Sequence, residues 1–322
     1  MIAAAGLDRL IGDPRWCPHP VVVMGWWISR LRRLAEAWAG DRPGPLRLAG
    51  LLITLLLVGG SGLAGWGLEQ LAVAQPATTP LLLIALASAL AGRSLEQAVR
   101  AVLAPLPTDL GAARRALGWI VGRDTADLEP GEILRAAAET ASENAVDGLF
   151  APLFWMAAGA LVWSATGLQG PGPLALAWGF KAASTLDSML GYRSGRLRWL
   201  GTAGARLDDL LVWLPCRLVA LSLPLAAGQG LRGCGRLWRL ARRDGAPDPS
   251  PNAGLSQAAY AHCTGVQLGG LNRYGDQLKA KPLLAAGQPL PTAARVERML
   301  ALTSRLELLW LLPIAALAVG TQ

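Results

Sequence analysis

The stretch LRLAGLLITLLLVGGSGLAGWGL, residues 46–68, decides the fold class, because it carries a single charge, Arg47, across 23 residues. About 20 apolar residues in a helix cross the hydrocarbon core of a bilayer. Composition extends that reading to the whole chain: 52% of its 322 residues are hydrophobic and 16% charged, and the mean hydropathy is +0.36. Further spans are expected near 77–92, 146–167, 173–190, 207–227 and 304–320, so the chain reads as an all-α, polytopic integral membrane protein. Residues 1–322 form one membrane-embedded domain in this reading, with helical and loop segments on the cytoplasmic side at about 93–145 and 229–303. Thirteen tryptophans suit interfacial belts, and Trp26, Trp27, Trp66, Trp163, Trp199 and Trp310 lie near span ends or in an amphipathic segment.

Charge asymmetry orients the chain. Arg30, Arg32, Arg33, Arg42 and Arg47 precede or open the first clear span, whereas residues 69–79 hold one Glu and no Lys or Arg. The basic side is expected in the cytoplasm, which makes this a multi-pass cell-membrane protein. A full span at 207–227 would put the Arg-rich stretch 229–300 outside, so Pro215 and Pro224 favour a broken, re-entrant hairpin there. The net charge of +8 then follows from topology. No basic array interleaved with aromatics, zinc finger or recognition helix points to nucleic acid. Cys17, Cys216, Cys234 and Cys263 form no C-x-x-C pair and read as free thiols; Cys17 with His19 and His262 with Cys263 are the only ligand-like pairs, and a zinc site from them would need an unusual long-range arrangement. MIAAAGL reaches Asp8 and Arg9 too soon to provide the apolar core of a signal peptide.

The most informative chemistry lies at 136–154, AAAETASENAVDGLFAPLF, where Glu139, Glu143 and Asp147 run into an apolar stretch. A carboxylate inside a membrane segment is costly and marks function. On one helix, positions i, i+4 and i+8 share a face, so three anions converge and attract a cation. Arg135 offsets one charge, and a hydrated divalent ion such as Mg2+ suits the rest. A solvated acidic face is the bland alternative.

Other polar clusters carry their own alternatives. VGRDT at 121–125 offers Arg123 to a phosphate, or a turn with Asp124 capping a helix. Lys181 is one of only three lysines and sits inside an expected span, either as a point charge for phosphate or snorkelling to an interface. Asp187 lies one turn from Ser184, with Tyr192 and Arg193 beyond; the paired Asp208 and Asp209 suit a metal ion or a helix dipole. Residues 249–275 gather Asn252, Asn272, Arg273 and Tyr274 among glycines, a loop able to wrap a polar ligand or merely to connect. No P-loop, Rossmann fingerprint or G-x-S-x-G elbow is present.

These clusters, in this order, resemble the adenosylcobinamide-phosphate synthase family, CobD/CbiB, of cobalamin biosynthesis. The resemblance rests on DRLIGDPRWCPHPV (8–21), VGRDT, ETASENAVDGLFAPLF (139–154), STLDSMLGYRS (184–194), ARLDDLLVWLPCR (205–217), and SPNAG with GGLNRYG (250–275). The family usually has Asn at Ser184, an acidic residue near Gln257 and a longer apolar helix before Asp8.

The resemblance implies an ATP-dependent amide bond between a propionate of adenosylcobyric acid and aminopropanol or its O-phosphate. It makes Glu139, Glu143, Asp147, Asp208 and Asp209 magnesium ligands, and Glu143, Asp187 and Lys181 catalytic groups. Arg123, Asp124, Asn144, Tyr192, Arg193, Asn252, Asn272, Arg273 and Tyr274 would hold substrate or nucleotide. ATP is a cosubstrate and the corrinoid a substrate, with no corrinoid held as a prosthetic group; other membrane-associated corrin enzymes are expected neighbours. A transporter or sensor using the same acids for ion coupling, and a scaffold for corrin enzymes, are the competing classes.

Overall fold

The computed structural model describes residues 1–13, 19–275 and 277–320, with side chains as far as residue 312. Cys17, and with it the Cys17–His19 pair, lies outside the described residues. Helices run in chain order as α1 (Ile2–Ile11), α2 (Pro20–Ala39), α3 (Pro43–Ala74), α4 (Thr79–Ala87), α5 (Gly92–Leu103), α6 (Leu110–Gly118) and α7 (Pro130–Ala145). A π-helical turn, Val146–Phe150, joins α7 to α8 (Ala151–Ala165). There follow α9 (Pro173–Leu190), α10 (Leu197–Leu200), α11 (Thr202–Ala226), α12 (Gly230–Gly245), α13 (Ala253–Thr264), an antiparallel hairpin β1 (Leu268–Tyr274) and β2 (Gln277–Leu284), and α14 (Ala293–Gly320). Two compact units result, one from Met1–Ala91 with Ala151–Val212, the other from Gly92–Phe150 with Trp213–Gln322.

Among the described residues four helical stretches are long and apolar enough to cross a membrane: Pro43–Ala74, Pro76–Leu103, Pro130–Ala165 and Thr202–Ala226. The fold is that of an all-α polytopic membrane protein. Two expectations change. Residues 173–190 do form a helix, α9, but Lys181, Asp187 and the small polar residues between them keep it out of that group of four. Residues 207–227 form no re-entrant hairpin; α11 is one continuous helix with Pro215 and Pro224 inside it. A proline removes the N–H that the carbonyl four residues earlier would accept. The carbonyl facing Pro215 is that of Leu211, and the Trp155 indole nitrogen donates to it at 3.1 Å. The lost helical bond is replaced from a neighbouring helix, and the chain stays straight enough to continue.

In the first unit, α3 packs along α9 and α2 around Ile28, Ile53, Leu57, Leu186 and Leu190. Close approach depends on glycine: a Cβ on Gly65 would stand 2.8 Å from the Ala175 Cα, and one on Gly50 would fall on the Leu200 carbonyl. Small residues let helix backbones meet where lipid removes the hydrophobic drive. The N-terminus of α9 has no cap of its own. Glu69, fully buried on α3, supplies it, accepting from the Gly172 N–H at 2.9 Å and the Leu174 N–H at 2.5 Å. A carboxylate there satisfies orphan donors and complements the helix dipole.

In the second unit, α7 begins where Pro130 takes the first helical position and Glu129 with Glu132 forms a capping box, as the sequence suggests. Its alanines, Ala136, Ala137, Ala138 and Ala141, are buried and let neighbours come close. The Gly- and Asn-rich stretch read as loop instead becomes β1, which pairs with β2 from Leu268↔Leu284 to Tyr274↔Gln277. Gly275, at φ +58, opens the turn.

The Glu69 cap is testable. Glu69→Ala strips the buried N–H groups of α9 of their acceptor, at a cost of about 3 kcal/mol, and should lower the thermal midpoint in detergent by about 6 °C or more; Glu69→Gln, which keeps one acceptor oxygen, should lose clearly less. Equal midpoints for wild type and Glu69→Ala would contradict the cap.

Candidate active site

At the centre of the second unit one carboxylate lies between two guanidiniums. Arg123 Nη2 donates to Glu139 Oε2 at 2.6 Å, Arg135 Nη1 donates to Glu139 Oε1 at 3.0 Å, and all three side chains are buried. The Gly269 N–H adds a third donor to Oε1 at 3.0 Å. Asn272 Oδ1 accepts from both arginines, at 3.1 Å from Arg135 Nη1. Arg135 also donates to the carbonyls of Gly269 and Leu271, both at 2.9 Å. The VGRDT loop, α7 and the hairpin are thereby fixed to one another. Asp124 reinforces them, its N–H donating to the Arg273 carbonyl at 3.1 Å and its carboxylate accepting from Gly275 at 2.7 Å.

Beside this cluster opens a cavity of about 280 Å³, lined chiefly by polar residues that include Arg123, Thr140, Glu143, Asn144, Gln257 and Lys281. Glu143, one turn beyond Glu139 on α7, is half-buried and accepts from Gln257 Nε2 at 2.7 Å. Gln257 Oε1 is buried with no hydrogen-bond partner. Lys281 Nζ lies 3.7 Å from the buried Asp248 carboxylate. Burial alone would lower the pKa of Lys281, but Glu143, Asp248 and Glu139 around it outweigh burial and raise it, so the ammonium persists at neutral pH. A half-buried cation lining the same cavity as a carboxylate suits a ligand bearing both charges.

Of the residues singled out from sequence, Arg123, Glu139, Glu143, Asn144, Asn272 and Tyr274 meet at this cavity. Asp124 and Arg273 shape its hairpin wall from outside the lining. Asp147 folds in the same unit but sits where the π-turn breaks the register of α7, and it is not among the lining residues. Asn252 lies at the start of α13, also outside the lining, with its Oδ1 accepting from Arg217 at 3.0 Å. Lys181, Asp187, Tyr192, Arg193, Asp208 and Asp209 belong to the first unit. The expected cluster of metal-binding carboxylates does not assemble: among the described residues no three His, Cys, Asp or Glu side chains converge on one point. Both Glu139 oxygens are committed to arginine and backbone donors, and Glu143 becomes the carboxylate that faces the cavity. Lys281 and Gln257 are absent from the sequence-derived site. The rarity of lysine was the available signal for the first; for the second it was the departure from the acidic residue that the family usually carries near Gln257.

Mg2+ commonly keeps several waters and takes one or two protein oxygens, and the Glu143 carboxylate could supply them at this cavity.

Comparison with known proteins gives the family. The family model described as CobD/Cbib protein matches residues 1–303. A cobalamin biosynthesis protein CobD of Synechocystis is 43% identical over 311 residues, covering 95% of this chain and 87% of the relative. The Geobacter metallireducens CobD is 43% identical over 90% of this chain and 86% of its own. A Salmonella typhimurium cobalamin biosynthesis protein CbiB is 39% identical, over 88% and 85% respectively. No solved structure matches the chain. With a family model spanning nearly its whole length and relatives this similar, the chain belongs to the CobD/CbiB family of cobalamin biosynthesis proteins.

Proposed function

We propose that the protein is an ATP-dependent ligase that joins a propionate carboxylate of adenosylcobyric acid to the amine of aminopropanol or its O-phosphate, giving adenosylcobinamide or its phosphate. The observation that carries this reading is the cavity that Glu143, Gln257 and Lys281 line together. A carboxylate is a poor acyl donor, so its oxygen first takes the γ-phosphoryl group of ATP, releasing ADP. The amine nitrogen then bonds to the carbonyl carbon, phosphate leaves, and one proton is lost from nitrogen. Each stage gathers negative charge on phosphoryl oxygens, which fixed cations stabilise.

Lys281 supplies such a cation, held in place by Asp248. Glu143, oriented by Gln257, accepts the amine proton or binds the metal ion. Magnesium, held by Glu143, would offset phosphate charge during transfer. Thr140 and Asn144 complete the polar wall. A cavity of about 280 Å³ accommodates a small phosphorylated amine or a terminal phosphate, not a corrin macrocycle. The corrinoid therefore presents one side chain from the rim, and it enters and leaves as substrate.

A cytoplasmic site belongs to this reading on charge: the segment around the VGRDT loop carries Arg93, Arg100, Arg114, Arg115, Arg123 and Arg135, and residues 229–243 add a further run of arginines. Retained arginines mark a cytoplasmic side.

Two variants test the chemistry. Glu143→Gln should lower turnover by about 10²-fold or more while leaving the thermal midpoint near that of wild type; full activity would remove Glu143 from the mechanism. Lys281→Ala should raise the KM for the phosphate-bearing substrate by about tenfold or more, and an unchanged KM would exclude Lys281 as the phosphate partner.

A further inference from the structure

The basic helix α12 has no part in the cavity around Glu143, yet it borders a second, larger one. That groove, of about 590 Å³, runs along α11, α12 and the start of α13 within the second unit. Trp213, Leu218 and Leu221 of α11 and Trp238 of α12 give it apolar walls; Arg217 and Arg242 are its charged residues, and no acidic side chain joins them. Arg217 is held ready, its guanidinium 4.2 Å from the centre of the Trp213 ring and its Nη1 bonded to the Trp213 carbonyl at 2.8 Å. On α12, Arg232, Arg236, Arg239 and Arg242 are exposed, and among the described residues only Arg243 of that helix pairs with a carboxylate, Asp244 at 2.9 Å.

Uncompensated guanidiniums at the edge of an apolar groove ask for an anion with a hydrocarbon body. Phosphate alone would leave the tryptophan and leucine walls wet, and a neutral lipid would leave both arginines without a counter-charge. The apolar wall is open to its surroundings, with Trp213, Leu214, Leu218 and Leu221 exposed along α11. We propose that this groove binds an anionic phospholipid, its acyl chains along the Trp213–Leu221 face of α11 and its phosphate between Arg217 and Arg242. The exposed arginines of α12 extend the positive potential beyond the groove.

The test is thermal unfolding of the full chain in a mild neutral detergent, titrated separately with phosphatidylglycerol, phosphatidylcholine and inorganic phosphate. Ligand that binds only the folded state raises the midpoint in proportion to its occupancy. Phosphatidylglycerol should raise it by several degrees, the other two should not, and Arg242→Gln should weaken the apparent affinity by about tenfold while Arg242→Lys restores part of it. Trp238→Leu, which alters the wall and keeps every charge, should weaken it too, and serves as the test should Arg242→Gln not fold. Equal shifts with phosphatidylcholine, an equal shift with inorganic phosphate, or an undiminished response in a folded Arg242→Gln protein would each overturn the proposal.

Discussion

The carboxylate of Glu139, buried between Arg123 and Arg135, is the interaction on which the site depends. Two guanidiniums and one carboxylate removed from water would leave an unbalanced charge, and Asn272 Oδ1 and the carbonyls of Gly269 and Leu271 take up the remaining guanidinium donors. Every partner lies on a segment that must be in position for the cavity to exist: the loop at 121–125, α7 and β1. Removing one member of such a set costs about 3–5 kcal/mol, because the others remain buried without compensation. The same set fixes Glu143 one helical turn away, so the scaffold and the reactive face share a single helix.

The first unit meets the cost of a buried acid differently. Glu69 is satisfied by backbone N–H groups at the start of α9 rather than by arginine. Both glutamates show why an acid in an apolar stretch is so informative and so hard to interpret: it must be compensated, but the compensation can be structural. Glu139 and Glu69 serve packing, and Glu143, with a single amide donor, is left facing open space.

Much of this was legible in the sequence wherever the cause is local. The apolar run at 46–68 lies within α3, Pro130 opens α7, and α9 has the expected bounds 173–190. The clusters 121–125, 139–144 and 272–274 were recognisable as site material, and they do meet. What escaped depends on distant partners. The continuity of α11 through Pro215 rests on Trp155, some sixty residues earlier in the chain. The hairpin has little alternation of buried and exposed residues on β2, and Gly269 and Gly270 at positive φ interrupt its register, so no period of two announces it. Lys281 and Gln257 become meaningful only once β2 and α13 are brought against α7.

The most direct measurement is to incubate the detergent-purified protein with adenosylcobyric acid labelled with ¹⁸O in the reacting carboxylate, aminopropanol phosphate and magnesium ATP, and to analyse the products by mass spectrometry with and without ATP. Activation of the carboxylate as an acyl phosphate predicts adenosylcobinamide phosphate only when ATP is present, with one ¹⁸O carried into the released inorganic phosphate. Product formed equally well without ATP, or no product from protein that still binds the corrinoid, would contradict the ligase reading.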